Sequence, residues 1–202
     1  MGHRLQPTRN GAHHHQLRAA AASAAVGHSN PGAVVRALLL AVPLLTVAAV
    51  LQSAVFNHVR FLNGGFDLIL IAVVAWSLAQ HGNEGPVWGF VGGLFADTLS
   101  GGPMGAMTLG LVSVAALIII TEGRFYKANW PVAMLASVLG TLMHHLIYLT
   151  VLAFSGRPVQ LADQLTLVTL PSSILNFLLM LPMYQSAKWL AAQIAPPQVE
   201  IG

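Results

Sequence analysis

Pro86-Val87-Trp88-Gly89-Phe90-Val91-Gly92-Gly93-Leu94-Phe95-Ala96-Asp97-Thr98-Leu99-Ser100-Gly101-Gly102-Pro103-Met104-Gly105 is the stretch on which the architecture turns. Its apolar, glycine-rich part ends at about Leu99 and is short. About fourteen residues of α-helix rise only ~21 Å, against a hydrocarbon core of ~30 Å. Whether this segment crosses a membrane or turns back decides on which side everything after it lies. Gly89, Gly93 and Asp97 are spaced by four, so they share one helix face. Small residues at that spacing let another backbone approach closely. Asp97 falls at the C-terminal end of the segment, the negative pole of the helix dipole, where an ionised carboxylate needs a compensating partner. The start of the next helix is the nearest candidate, with Arg60 and Arg157 on the same side as alternatives. Pro103 favours a helix start, and the free amides around Met104 and Gly105, in the turn Gly101-Gly102-Pro103-Met104-Gly105, carry partial positive charge. The expectation is a tight turn clamped by Asp97, with direct contact to a ligand or partner as the competing role.

Outward from this stretch, the whole chain is lipid-compatible. Of 202 residues, 55% are hydrophobic and 7% charged, with mean hydropathy +0.70; a soluble domain carries roughly 25% charged residues. The pattern predicts an all-α integral membrane protein with six transmembrane helices over about 34–56, 65–80, 86–99, 103–122, 130–154 and 165–193. Pro43 lies inside the first, and Pro171 and Pro182 are expected kinks in the last. Residues 1–33, with Arg4, Arg9, Arg18 and the run His13-His14-His15, lack both a span and a signal-peptide h-region and read as a disordered cytoplasmic tail. The membrane domain is then 34–195, followed by a short cytoplasmic tail, 196–202.

The cations set the orientation. With the N-terminus inside and six spans, seven of the nine Lys and Arg residues (Arg4, Arg9, Arg18, Arg36, Arg124, Lys127, Lys188) are cytoplasmic, and only Arg60 and Arg157 are outside. If 86–99 were re-entrant, the split would become five against four and the positive-inside bias would vanish. Six full spans with both termini in the cytoplasm is the expected topology.

The remaining polar residues are few. Asp67 opens the second helix, where its charge is favoured, with Arg60 near enough in sequence to pair with it. His144 and His145 lie mid-span and point about 100° apart; Ala136, Gly140, His144 and Tyr148 form one stripe, which turns His144 inward. Thr166, Thr169, Ser173 and Asn176 form a second polar stripe on the sixth helix. His144, Tyr148, Ser173 and Asn176 are the set from which an interior pocket would be lined, although such groups more often join helices than bind solutes. Trp76, Trp88, Trp130 and Trp189 fall near span ends and are expected as interface anchors. Cysteine is absent, which excludes disulfides, thiol catalysis and cysteine metal sites. No paired carboxylates, HExxH, P-loop or GxSxG motif is present. The chain is expected to be non-enzymatic, without cofactor or metal, and no basic patch points to nucleic acid.

Phe66-Asp67-Leu68-Ile69-Leu70, Gly89 to Asp97 and Ser100 to Gly105 together resemble the bacterial rod shape-determining MreD family. There an Asp follows the opening of a span, and a glycine-rich helix with G-x-x-x-G-L-x-x-D character leads to a glycine-rich turn. Phe66 stands where the family usually has Pro. The resemblance implies an inner-membrane scaffold of the cell-elongation and peptidoglycan-synthesis machinery. Its partners would be MreC, held by transmembrane helix packing, and also MreB and the RodA/penicillin-binding-protein synthase. Gly89, Gly93, Asp97, Asp67, Gly101, Gly102 and Gly105 would carry the packing and partner contact. The family's fold is similar to the S-components of energy-coupling-factor transporters, which makes a solute-binding S-component-like small transporter the alternative function.

Overall fold

The computed structural model describes residues 31–54, 64–80, 84–122 and 129–194. They form six helices: α1 (Pro31–Ala54), α2 (Leu68–Ala79), α3 (Gly85–Ser100), α4 (Ala106–Glu122), α5 (Trp130–Phe154) and α6 (Leu161–Ile194). Three helical segments are long and apolar enough to cross a membrane, Val35–Ala54, Trp130–Phe154 and Leu161–Ile194, while Leu68–Ala79 and Ala106–Thr121 are shorter apolar helices. The expected N-terminal tail (apart from 31–33), the Arg60 partner of Asp67, the Arg124–Lys127 joint and the C-terminal tail lie outside the described residues.

α2 is the hub, touching each of the other five helices. Nine of its twelve residues are buried, as expected of a helix that is hydrophobic all round. α1 lies at the periphery and packs through a stripe spaced by four, Ala37, Ala41, Leu45 and Ala49, while Leu39, Val47 and Val50 on its other faces are exposed. A helix with a narrow small-residue seam and aliphatic remaining faces suits a lipid surround, where close packing and not water exclusion holds helices together.

The tightest pairing is α3 against α4. A Cβ on Gly89 would lie 2.9 Å from the Leu111 carbonyl oxygen, and one on Gly93 would drive into the backbone of Thr108. Gly92 faces the other way, where a Cβ would sit 2.8 Å from Cγ2 of Ile69 on α2. The glycines thus thin α3 on two sides, so that it fits between α4 and the hub.

Four sequence expectations are corrected. α4 begins at Ala106 and not near Pro103, because Gly105 adopts φ +90°, which a right-handed helix cannot include. α1 starts at Pro31, three residues earlier than expected, with proline in the first turn. Trp76 and Trp88 are core residues and not interface anchors: they are 1% and 2% exposed, and their rings stack with centroids 4.3 Å apart. Trp130 and Trp189 are exposed. Finally, α6 carries a π-helical stretch, Gln164–Thr169, immediately before Leu170 and Pro171. The wider turn changes the register, so Thr166 faces outward while Thr169, Ser173 and Asn176 stay buried.

Gly93→Ala forces α3 and α4 apart at backbone level. It should lower the unfolding midpoint of the detergent-solubilised protein by the equivalent of about 1–3 kcal/mol, the usual cost of overpacking. Leu94→Ala, at the adjacent exposed position, should change it little. Equal midpoints for the two variants would contradict the glycine seam.

Candidate functional site

Two carboxylates organise the end of the bundle where α2 and α4 begin and α3 ends. Asp97, 3% exposed on the last turn of α3, reaches across the turn to the start of α4. Its Oδ1 accepts the Met107 amide at 2.9 Å; its Oδ2 accepts the amides of Gly105 at 3.0 Å and Thr108 at 3.2 Å and the Thr108 hydroxyl at 2.6 Å. These are amides that a helix N-terminus leaves without intrahelical partners, and the carboxylate also faces the positive end of the α4 dipole. Gly101 makes the turn possible as the left-handed cap of α3, at φ +63°. Gly102 lies against α5, where a Cβ would sit 2.9 Å from the Tyr148 hydroxyl. Gly89 and Gly93 continue the Asp97 face, and this whole face meets α4 of the same chain.

Asp67 caps α2, with Oδ1 accepting the Leu70 amide at 3.0 Å. The amides around it are taken by more distant side chains. Asn176 Oδ1 accepts from Asp67 N at 2.9 Å, Gln52 Oε1 from Ile69 N at 3.2 Å, and Ser172 Oγ from Gly65 N at 3.1 Å. Asn176 is in turn fixed by donating to Thr141 Oγ1 at 3.0 Å, and that hydroxyl donates to the Ser137 carbonyl. Asp67 Oδ2 lies 3.9 Å from His144 Nε2. His145 Nδ1 is 2.9 Å from Thr169 Oγ1, on the π-helical stretch of α6.

A cavity of about 410 Å³ opens beside these groups, bordered by Gln52, Asp67, His144, His145 and Ser172 among others. A second chamber of about 200 Å³ lies against Tyr148 and Thr169 and shares Asp67, Met107, His144, His145 and Val168 with the first. Of the pocket set expected from sequence, His144 and Tyr148 are at the cavity walls. Ser173 donates to the Thr169 carbonyl within its own helix, and Asn176 sits behind Asp67. Sequence reasoning noted His145 as an ionisable residue in mid-span but left it out of the pocket set, and it passed over Gln52 and Ser172. Gln52 and Ser172 owe their positions to where α1 ends and to the local backbone before Pro171. Among the described residues no group of three His, Cys, Asp or Glu side chains is placed to hold a metal.

Hydrogen bonds to a charged group are worth about 1.5–3 kcal/mol each, so the Asp97 cluster is the costliest polar feature to break. Asp97→Asn presents an NH2 to donor amides and should destabilise the protein by about 2–4 kcal/mol, with Asp97→Ala at least as damaging. Thr108→Val, which removes one of the four bonds, should show a smaller loss in the same thermal-unfolding assay.

The family model described as rod shape-determining protein MreD matches residues 34–191. No curated protein and no solved structure is significantly similar to the chain. The matched span includes all of α2 to α5, both carboxylates and both histidines, and the chain belongs to the MreD family.

Proposed function

We propose that this protein is a non-catalytic scaffold of the bacterial cell-elongation machinery, embedded in the cytoplasmic membrane by six spans with both termini inside, and that it holds the transmembrane helix of MreC. MreB and the RodA/penicillin-binding-protein synthase would join through that complex. Membership of a shape-determining family supports the role. The observation that carries the scaffold reading is where the chain spends its polar groups. The Asp97 cluster and the glycine seam bind α3 to α4 internally. What the described residues offer outward is a broad lateral surface of aliphatic side chains, including Leu39 and Val47 on α1 and Ile174 and Leu178 on α6. Because Gly89 and Gly93 are covered by α4, the MreC contact falls on that lateral surface and not on the glycine face.

The absence of cysteine makes single-cysteine mapping direct. Cysteines at Arg124 and Arg157 should be reactive from the cytoplasmic and external sides respectively; the reverse labelling would overturn the topology. Cysteines at Leu39, Val47, Ile174 or Leu178 should cross-link to a cysteine scanned along the MreC helix, with one helix of the pair giving a three-and-four periodicity. Failure of all four positions, together with loss of MreC in mild-detergent purification, would refute the scaffold reading.

A further inference from the structure

The chamber at the start of α2 is lined by groups that the fold has already fixed, and one oxygen is left over. The backbone of Asp67 is held by Asn176, its Oδ1 by the Leu70 amide, and Asn176 by Thr141. Asp67 Oδ2 receives no hydrogen bond from the described residues; His144 Nε2 lies 3.9 Å from it, beyond hydrogen-bond range. His144 is itself only 2% exposed and its Nδ1 has no partner. An incompletely paired carboxylate inside a membrane bundle is costly and marks a functional position by default. This one borders a cavity of about 410 Å³ whose lining, among the described residues, includes no lysine, no arginine and no second carboxylate. That volume is in the range of small-molecule sites, about 300–1,000 Å³.

We infer that this cavity binds a small organic cation through a primary ammonium group paired with Asp67 Oδ2. An ammonium brings three N–H donors and no acceptor. Gln52 Oε1 and Ser172 Oγ, which border the same space, each spend one lone pair on a backbone amide and keep another for a ligand donor. Ile69, Met107, Leu111 and Val168 give the walls an apolar part, so an amine with a compact hydrophobic body fits better than an inorganic ion. A metal ion is disfavoured by the lack of a three-ligand group among the described residues. The ammonium has two possible sources, a free amine or the ethanolamine headgroup of a membrane lipid. The inference goes beyond the scaffold role and does not depend on it.

The test uses the full chain in nanodiscs of phosphatidylglycerol, titrated calorimetrically with 2-phenylethylamine and with its uncharged analogue 2-phenylethanol. The amine should bind at least tenfold tighter than the alcohol. Asp67→Asn keeps an oxygen for the Leu70 amide but removes the charge, and should weaken the amine at least tenfold. Met107→Trp, which fills the space shared by both chambers while leaving Asp67 in place, should abolish binding with the unfolding midpoint retained. In a second arm, the protein is equilibrated in nanodiscs containing phosphatidylethanolamine and examined by native mass spectrometry. Retention of that lipid by the wild type and its loss in Asp67→Asn assigns the headgroup as the source; binding of the soluble amine alone assigns a free amine. Equal affinity for amine and alcohol, unchanged amine binding in both variants, or binding of neither amine nor lipid would overturn the proposal.

Discussion

The first amides of a helix have no intrahelical acceptors, and two helices of this protein, α2 and α4, take acceptors from side chains gathered at one end of the bundle. In an apolar surround an unsatisfied backbone group costs several kcal/mol, so these acceptors hold that end together. For α4 the accounting closes locally. Ala106 donates to Pro103, Met107 and Thr108 donate to Asp97, and Leu109 donates to Gly105. For α2 the acceptors are partly local and partly tertiary: Asp67 accepts the Leu70 amide, while Asn176 on α6 and Gln52 on α1 accept those of Asp67 and Ile69 from far along the chain. The first solution forms with one turn of chain; the second needs three helices already in place.

The glycine seam follows from the Asp97 bonds. A carboxylate on the last turn of α3 reaches the amides of α4 only if the two helix axes approach closely along their length. Thr108 is where the two requirements meet: its backbone lies against Gly93, and its amide and hydroxyl are bonded to Asp97. The spacing of four between Gly93 and Asp97 therefore sets both the separation and the register of α3 on α4. A side chain at Gly93 would break the polar cluster directly, because it would run into Thr108, which supplies two of the four donors to Asp97.

The parts of this design legible in the sequence were those determined by neighbours along the chain. The positions of six apolar segments, the inward turn of His144 and the attraction between Asp97 and the start of the following helix all depend on local spacing. What escaped depended on distant contacts or on backbone irregularity. Trp76 and Trp88 look like anchors because they lie near segment ends, yet α2 is central, so Trp76 is buried and the Trp88 ring of α3 stacks on it inside. Thr166 falls on a regular helical stripe but leaves it because Gln164–Thr169 is π-helical. A proline at 171 removes one amide donor, and the turn that precedes it is π-helical. Gln52 and Ser172 carry no local pattern at all.

Asp97 and Asp67 show how one residue type at one end of a bundle can be put to two uses. Asp97 has both oxygens engaged by four donors, is almost wholly covered, and sits between helices too close to admit anything else. Its charge is spent on the fold. Asp67 has one oxygen committed to capping and one that faces a chamber, with two imidazoles beside it. Capping alone does not account for that second oxygen, since asparagine or serine caps a helix about as well without placing a charge in a low-dielectric interior. Nor does helix packing, because a polar side chain that joins helices is expected to reach a partner, as Asn176 does at Thr141. A carboxylate used where a neutral cap would serve, on a residue that borders two chambers, is better explained by something that enters that space than by the stability of the bundle around it.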